Sequence, residues 1–316
     1  MTSRRHRGIT HGGFAVTLVA SALLATGCTP MADAARDAVP RVERIVGDSG
    51  AVSASTTESR VNVAPTCSIR VRLGGDAAAA EISHVLEAVW AAPGDAACVV
   101  SAVELTSRSS VVGYPAAAMP ADVAAATADA LLRVESITIN VTDPESATVT
   151  ATSHAGGFAT AADLVRQAAS SAALDEAWGR VFWSLGWSRE DAPYDSVTIV
   201  SDAAPSAGLV DVLTGLDDLR ASGTLGQPGT AGQTDVDAPI IGISIGSVTE
   251  SGATTLTVGF TVEGWDAAEL DERGDTLVTA SRAADAARSI AEIAERSGVS
   301  VDSITVNDSV DLLPSR

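Results

Sequence analysis

The chain contains no lysine. All 20 of its basic side chains are arginine, they stand against 40 aspartates and glutamates, and the formal net charge is −20. The missing lysine reflects codon usage rather than activity, but the shortage of positive charge excludes partners. A body this acidic repels phosphate backbones and anionic lipid headgroups, so no nucleic-acid partner is expected and membrane attachment has to come from a lipid. Aromatic residues are also scarce, at 3% against 46% hydrophobic residues in all. The core must therefore be built from Ala, Val, Ile and Leu, and there is enough of it for one large or two small domains. Only two histidines, His84 and His154, lie beyond residue 27. They are unlinked and lack clustered cysteines, so no metal site and no cofactor are expected.

What the chain does have begins at its N-terminus. Arg4, Arg5 and Arg7 form a positive head, Phe14 to Ala25 form an apolar stretch, and Ala25-Thr26-Gly27-Cys28 follows at once. This is the layout of a secretory signal with a cysteine at the cleavage point. About a dozen apolar residues fall short of the roughly 20 a spanning helix needs, so a processed segment is expected. Arg4-Arg5 also offers the twin-arginine route, but Arg7 occupies the place where that pattern wants an aromatic, and the ordinary secretory route is the expectation.

Residues 25–28 resemble the lipobox of bacterial lipoproteins, with Ala25 in the usual Leu position and Leu24 one place early. The resemblance implies removal of residues 1–27 as a signal peptide. It further implies acylation of Cys28 with diacylglycerol and palmitate, and anchorage on the outer face of the bacterial cytoplasmic membrane. Loss of residues 1–27 removes three arginines and no acid, moving the net charge from −20 to −23. Two or three acyl chains hold firmly where one is marginal.

Two cysteines then remain, Cys67 and Cys98, in an oxidising compartment. Each stands at the start of an expected strand (67–73 and 98–106) with one helix between, the layout of a right-handed βαβ unit. Parallel neighbours begin at the same sheet edge, so the sulfurs can meet in a disulfide. Closing that loop of about 30 residues contributes on the order of 3 kcal/mol in the chain-entropy model.

Residues 28–65 are rich in Ser, Thr, Ala, Asp and Pro and read as a flexible tether. Helices are expected over 76–91, 120–133, 160–185, 206–221 and 277–297. Strands are expected at 137–141, 146–152, 196–201, 240–248, 256–262 and 303–307 from the two-residue alternation of Ile, Val and Leu with Thr, Ser and Gly. The order reads β-α-β-β-α-β twice, over 98–201 and over 196–308 if the strand at 196–201 is shared, and the chain is divided into a first α/β region over 66–201 and a second ferredoxin-like unit over 202–316, with a Gly-rich linker at 222–238. The fold class is α+β, with repeated split βαβ (ferredoxin-like) units whose mostly antiparallel sheets carry helices on one face. The match between Val134-Glu135-Ser136-Ile137-Thr138-Ile139-Asn140 and Val301-Asp302-Ser303-Ile304-Thr305-Val306-Asn307 supports an internal duplication, although the segments fall at different points of that unit.

The candidate chemistry is thin. Gly242-Ile243-Ser244-Ile245-Gly246 matches a nucleophile elbow, but that motif needs a strand, a sharp turn and a helix, whereas here it lies inside a strand with no later histidine. His84 falls between Glu81 and Glu87 on the polar side of a helix, and His154 in a glycine loop. Glu263, Asp266, Glu269, Asp271, Glu272 and Asp275 lack the alternating spacing of a calcium loop and suit a helix N-terminus. Trp178, Phe182, Trp183 and Trp187 cluster. On a helix, Trp183 and Trp187 point away from Trp178, either into a contact between the two halves or outward as a binding platform. The open sheet face would display Thr257 and Thr261. No nucleophile, base and orienting group occur together, so the expectation is a membrane-anchored extracytoplasmic lipoprotein acting as a non-enzymatic binding or envelope-interaction module, with an envelope protein or cell-wall partner. The alternative is a cell-envelope hydrolase with a carboxylate-based site.

Overall fold

The computed structural model describes residues 30–57, 65–94, 97–113, 118–143, 145–226, 238–250, 252–264, 281–307 and 310–313. Signal, Cys28 and most of the acidic stretch lie outside these residues, as do 227–237 of the expected linker.

The elements, in chain order, are α1 (Pro30–Val46), β1 (Gly50–Thr57), β2 (Thr66–Leu73), α2 (Ala79–Ala88), β3 (Cys98–Leu105), β4 (Ser110–Gly113), α3 (Ala121–Arg133), β5 (Ile137–Asp143) and β6 (Ser146–Ser153). They continue with α4 (Phe158–Ala169), α5 (Ala173–Trp178), β7 (Arg180–Arg189), β8 (Ala192–Ser201), α6 (Ala207–Ala221), β9 (Ile240–Glu250) and β10 (Ala253–Val262). The series closes with α7 (Arg282–Arg296), β11 (Ser300–Val306) and β12 (Val310–Asp311). No helix among the described residues is long and apolar enough to cross a membrane.

The protein is α+β, and all 12 strands form one sheet in which spatial order equals chain order. Antiparallel pairs β1–β2, β3–β4, β5–β6, β7–β8, β9–β10 and β11–β12 alternate with parallel pairs β2–β3, β4–β5, β6–β7, β8–β9 and β10–β11. The sheet is therefore mixed, not mostly antiparallel. The split βαβ plan also gives way, because that plan inserts another strand between the two that a helix joins, and here the joined strands are immediate neighbours. The repeating unit is a hairpin followed by a helix. Within it, β5 and β11, which carry the two matching heptapeptides, occupy the same position, each following a crossover helix and opening a hairpin.

One face of the sheet is dry from end to end. Ile69 pairs with Val100, Val103 with Val112, Val112 with Ile139, Ile139 with Val149, Val149 with Trp183, Ile199 with Ile245, and Val258 with Ile304, all of them buried. The helices lie over this face and pack on one another in sequence, forming one core from Ala38 to Val306. Strands joined by successive helices point in opposite directions, so helices on a single face require crossovers that alternate in hand. Every second crossover thus departs from the usual right-handed preference. The regions 66–201 and 202–316 share the sheet through β8–β9.

The segment read as a tether carries structure. Ala38, Val42 and Val46 of α1 are buried against β1 and β2, with spacings of four that make one helix face. Pro40 does not break that helix. The sheet supplies the surface against which this helix folds. Cys67 and Cys98 are register partners on the parallel pair β2–β3 and form the expected disulfide across a separation of 31 residues.

Candidate functional site

Strand β7 decides where the aromatic residues go. The stretch expected as one helix over 160–185 is α4, then α5, then a turn at Gly179 with φ +72°, and then a strand. In a strand alternate residues share a face, so Val181, Trp183, Leu185 and Trp187 all turn to the dry side. Trp183 is 0% and Trp187 7% exposed, and both are core residues, not a platform. The aromatic that reaches solvent is Phe182, 42% exposed on the opposite face, with the Arg180 guanidinium 5.8 Å from its ring centre.

That opposite face is open. From β5 to β11 its outward positions are Thr138 and Asn140, then Thr148, Thr150 and Thr152, then Phe182, Ser184, Gly186 and Ser188. They continue with Ser196, Thr198 and Val200, then Gly242, Ser244, Gly246 and Val248, then Thr255, Thr257, Gly259 and Thr261, and finally Ser303 and Thr305. None is charged. Among the described residues charge enters this part of the face at its margins, at Arg180, at Glu250 and at Asp302 in the bulge of β11, and beyond it β2 and β3 carry the outward ion pairs of Arg70 and Arg72 with Glu104. Thr257 and Thr261 stand here, both exposed. The glycines keep this surface flat. Gly246 lies opposite Thr257 and Gly259 opposite Ser244, and a Cβ at either would collide with the facing hydroxyl. Ser244 is thus an exposed strand residue, its hydroxyl 3.5 Å from the Gly259 carbonyl. At Gly186 the face dips into a depression of about 160 Å³ walled by Thr152, Ser184, Ser188, Ser196 and Thr198.

A second concavity, about 520 Å³, lies on the helix side where parallel strands β6 and β7 end, between the start of α4 and the end of α6. Such a crevice at the carboxyl ends of parallel strands is where open α/β sheets usually take ligands. His154, Gly156, Gly157 and Phe158 come from β6–α4, Trp187 and Arg189 from β7, Asp195 from β8, and Asp217 and Arg220 from α6. Asp195, 3% exposed, holds Arg220 Nη2 at 2.8 Å and Arg189 Nη1 at 3.3 Å. Arg220 also donates to the Ile240 carbonyl at 3.1 Å and lies 5.0 Å from the Phe158 ring centre. His154 Nδ1 meets Ser188, hydroxyl and carbonyl both at 3.1 Å, and not a carboxylate. His84 is exposed on α2.

Comparison with protein-family models, curated proteins and solved structures returned no match. The two sites therefore rest on their own geometry. Among the described residues no three His, Cys, Asp or Glu side chains cluster as a metal site would require.

Sequence reasoning missed Asp175. At the start of α5, its carboxylate accepts from Trp183 Nε1 at 3.0 Å and from the Ala204 amide, tying α5 to β7 and to the loop after β8. Burial pushes its pKa above the ordinary 3.8, the two donors pull it back in part, and nearby Asp202 raises it further. The folded state therefore holds this proton more tightly than the unfolded chain does. Asp175 favours folding most below pH 3.8, and that contribution is lost as pH rises through the raised value. Against an Asp175→Asn variant, chemical denaturation between pH 4 and pH 7 should show the wild type losing relative stability with rising pH. A constant difference between the two would refute the assignment.

Proposed function

We propose that the chain is a non-enzymatic binding module, held on the outer face of the cytoplasmic membrane by a lipid on Cys28, whose open sheet face engages a neutral polyhydroxylated polymer of the cell wall. The observation that carries this reading is the uncharged middle of the outward face from β5 to β11, where charge stands only at the margins, at Arg180, Glu250 and Asp302, in a chain with 19% charged residues and a net charge of −20. Serine and threonine hydroxyls donate and accept equally, which matches a partner whose own groups are hydroxyls. A broad flat face suits an extended polymer, since small ligands take concave sites. Phe182, exposed at its edge, adds an apolar surface for a sugar ring.

The anchor has a consequence for placement. Helix α1 begins at Pro30, two residues after Cys28, so at most about 7 Å of extended chain separates the acylated residue from the folded body. The body then rides against the bilayer instead of on a long leash. The hydrolase alternative has less to rest on, because Asp195 is committed to two guanidiniums and His154 to Ser188.

Co-sedimentation of residues 28–316 with purified wall glycan tests the reading. Thr257→Glu with Thr261→Glu should weaken retention at least tenfold while leaving the melting temperature nearly unchanged, since exposed substitutions usually shift stability by no more than about 0.5 kcal/mol. Absence of retention by the unaltered protein, or retention indifferent to the double variant, would refute it. Mass analysis of the cellular protein checks the anchor separately: a first residue other than acylated Cys28 removes it.

A further inference from the structure

We propose that the cleft between the end of β7, the start of α4 and the end of α6 binds a small zwitterion carrying one carboxylate and one ammonium group, that is, a free amino acid or a short peptide. This is independent of the open-face reading. Three observations meet here. First, the wall is rich in donors that the fold leaves free or holds in place. Asp195 pins both guanidinium groups at the cleft, and Arg189 remains 43% exposed after its contacts to Asp191 and Asp195. Helix α4 opens with Gly157, whose lack of a side chain leaves the first-turn amides without a cap.

Second, Trp187 lines the same cleft at 7% exposure and gives it an apolar wall, its indole N–H being shut away from the opening. The part-exposed guanidinium of Arg189 and the uncapped amides of α4 suit a carboxylate, which only accepts. Third, Asp217 is half-buried on the α6 side of the same cleft and forms no ion pair or hydrogen bond among the described residues. An anionic acceptor in the same cleft as these donors disfavours a doubly charged phosphate and favours a ligand with its own cation. Arg189 and the start of α4 would take the carboxylate, and Asp217 the ammonium.

Isothermal titration of residues 28–316 with L-alanine, D-alanine and alanyl-alanine, alongside acetate and inorganic phosphate, tests the assignment. Saturable binding of at least one of the first three is expected. Blocking the ammonium of that ligand by N-acetylation, or its carboxylate by amidation, should weaken it at least tenfold. Asp217→Asn should lose the same factor for the zwitterion and nothing for acetate, and since Asp217 supports no fold contact the variant should stay folded. Arg189→Gln should weaken both. No saturation by any of the three at millimolar concentration, tighter binding of phosphate, or equal affinity for acetate and the zwitterions would each overturn the proposal.

Discussion

Replacing Asp195 with alanine is expected to lower folding stability by about 3–5 kcal/mol, the usual consequence of removing one partner from a buried ion pair. The carboxylate is 3% exposed and lies between Arg220 at 2.8 Å and Arg189 at 3.3 Å. Arg189 is 43% exposed and can turn to water when its partner goes, so it contributes little of the loss. Arg220, at 21%, cannot. It is held over Phe158 and bound to the Ile240 carbonyl, so the alanine variant strands a guanidinium in a partly dry site. Asp195→Asn keeps an acceptor and gives up the charge, and its stability should fall between wild type and alanine. Urea denaturation followed by tryptophan fluorescence provides the comparison. An asparagine variant as stable as the wild type would show that the charge does not hold Arg220.

Trp183→Ala should be as damaging, about 3–5 kcal/mol, the range for deleting a large buried aromatic side chain. Trp183 is fully buried in the middle of β7 and donates to Asp175 at 3.0 Å, so its removal opens a cavity and frees an acceptor together. Trp183→Phe fills much of the cavity but not the hydrogen bond, which isolates that part of the loss, on the order of 1–3 kcal/mol. The same denaturation on Thr257→Ala should move the midpoint hardly at all, because Thr257 is exposed. A Trp183 variant that unfolds like the Thr257 variant would remove the tryptophan from the core and reopen its use as a platform. The opposite pattern is expected in binding, where only the threonine face should respond.

Much of this contrast was legible one strand at a time. The alternation in 240–248 and 256–262 announced the β9–β10 hairpin and placed Thr257 and Thr261 outward, and Cys67 and Cys98 announced a parallel pair whose sulfurs meet. The tryptophans were misplaced because two periods overlap in one stretch. Trp178, Phe182 and Leu185 fit a helix face, whereas Val181, Trp183, Leu185 and Trp187 fit a strand face, and Gly179 was the signal that should have separated them. Strand β4 has four residues, too few for any period to show. With β4 and β7 unrecognised, hairpins and helices could not be seen to alternate, and a ferredoxin-like order followed. The cleft left no local trace, because His154, Arg189, Asp195 and Arg220 come from separate elements and share no spacing.

The amino-acid sequence by itself determined the α+β class, the acidic balance of charge, the disulfide pair and the polar outward rows of the strands. These follow from composition and from side-chain periods, which act over a few neighbouring residues. Only the tertiary structure decided that the strands join into one sheet in chain order, that α1 and β1 belong to it, that Trp183 and Trp187 are buried, and that two arginines converge on Asp195. Each of those outcomes depends on which distant surface a segment finds to bury against, and burial is a property of the assembled chain rather than of any stretch within it.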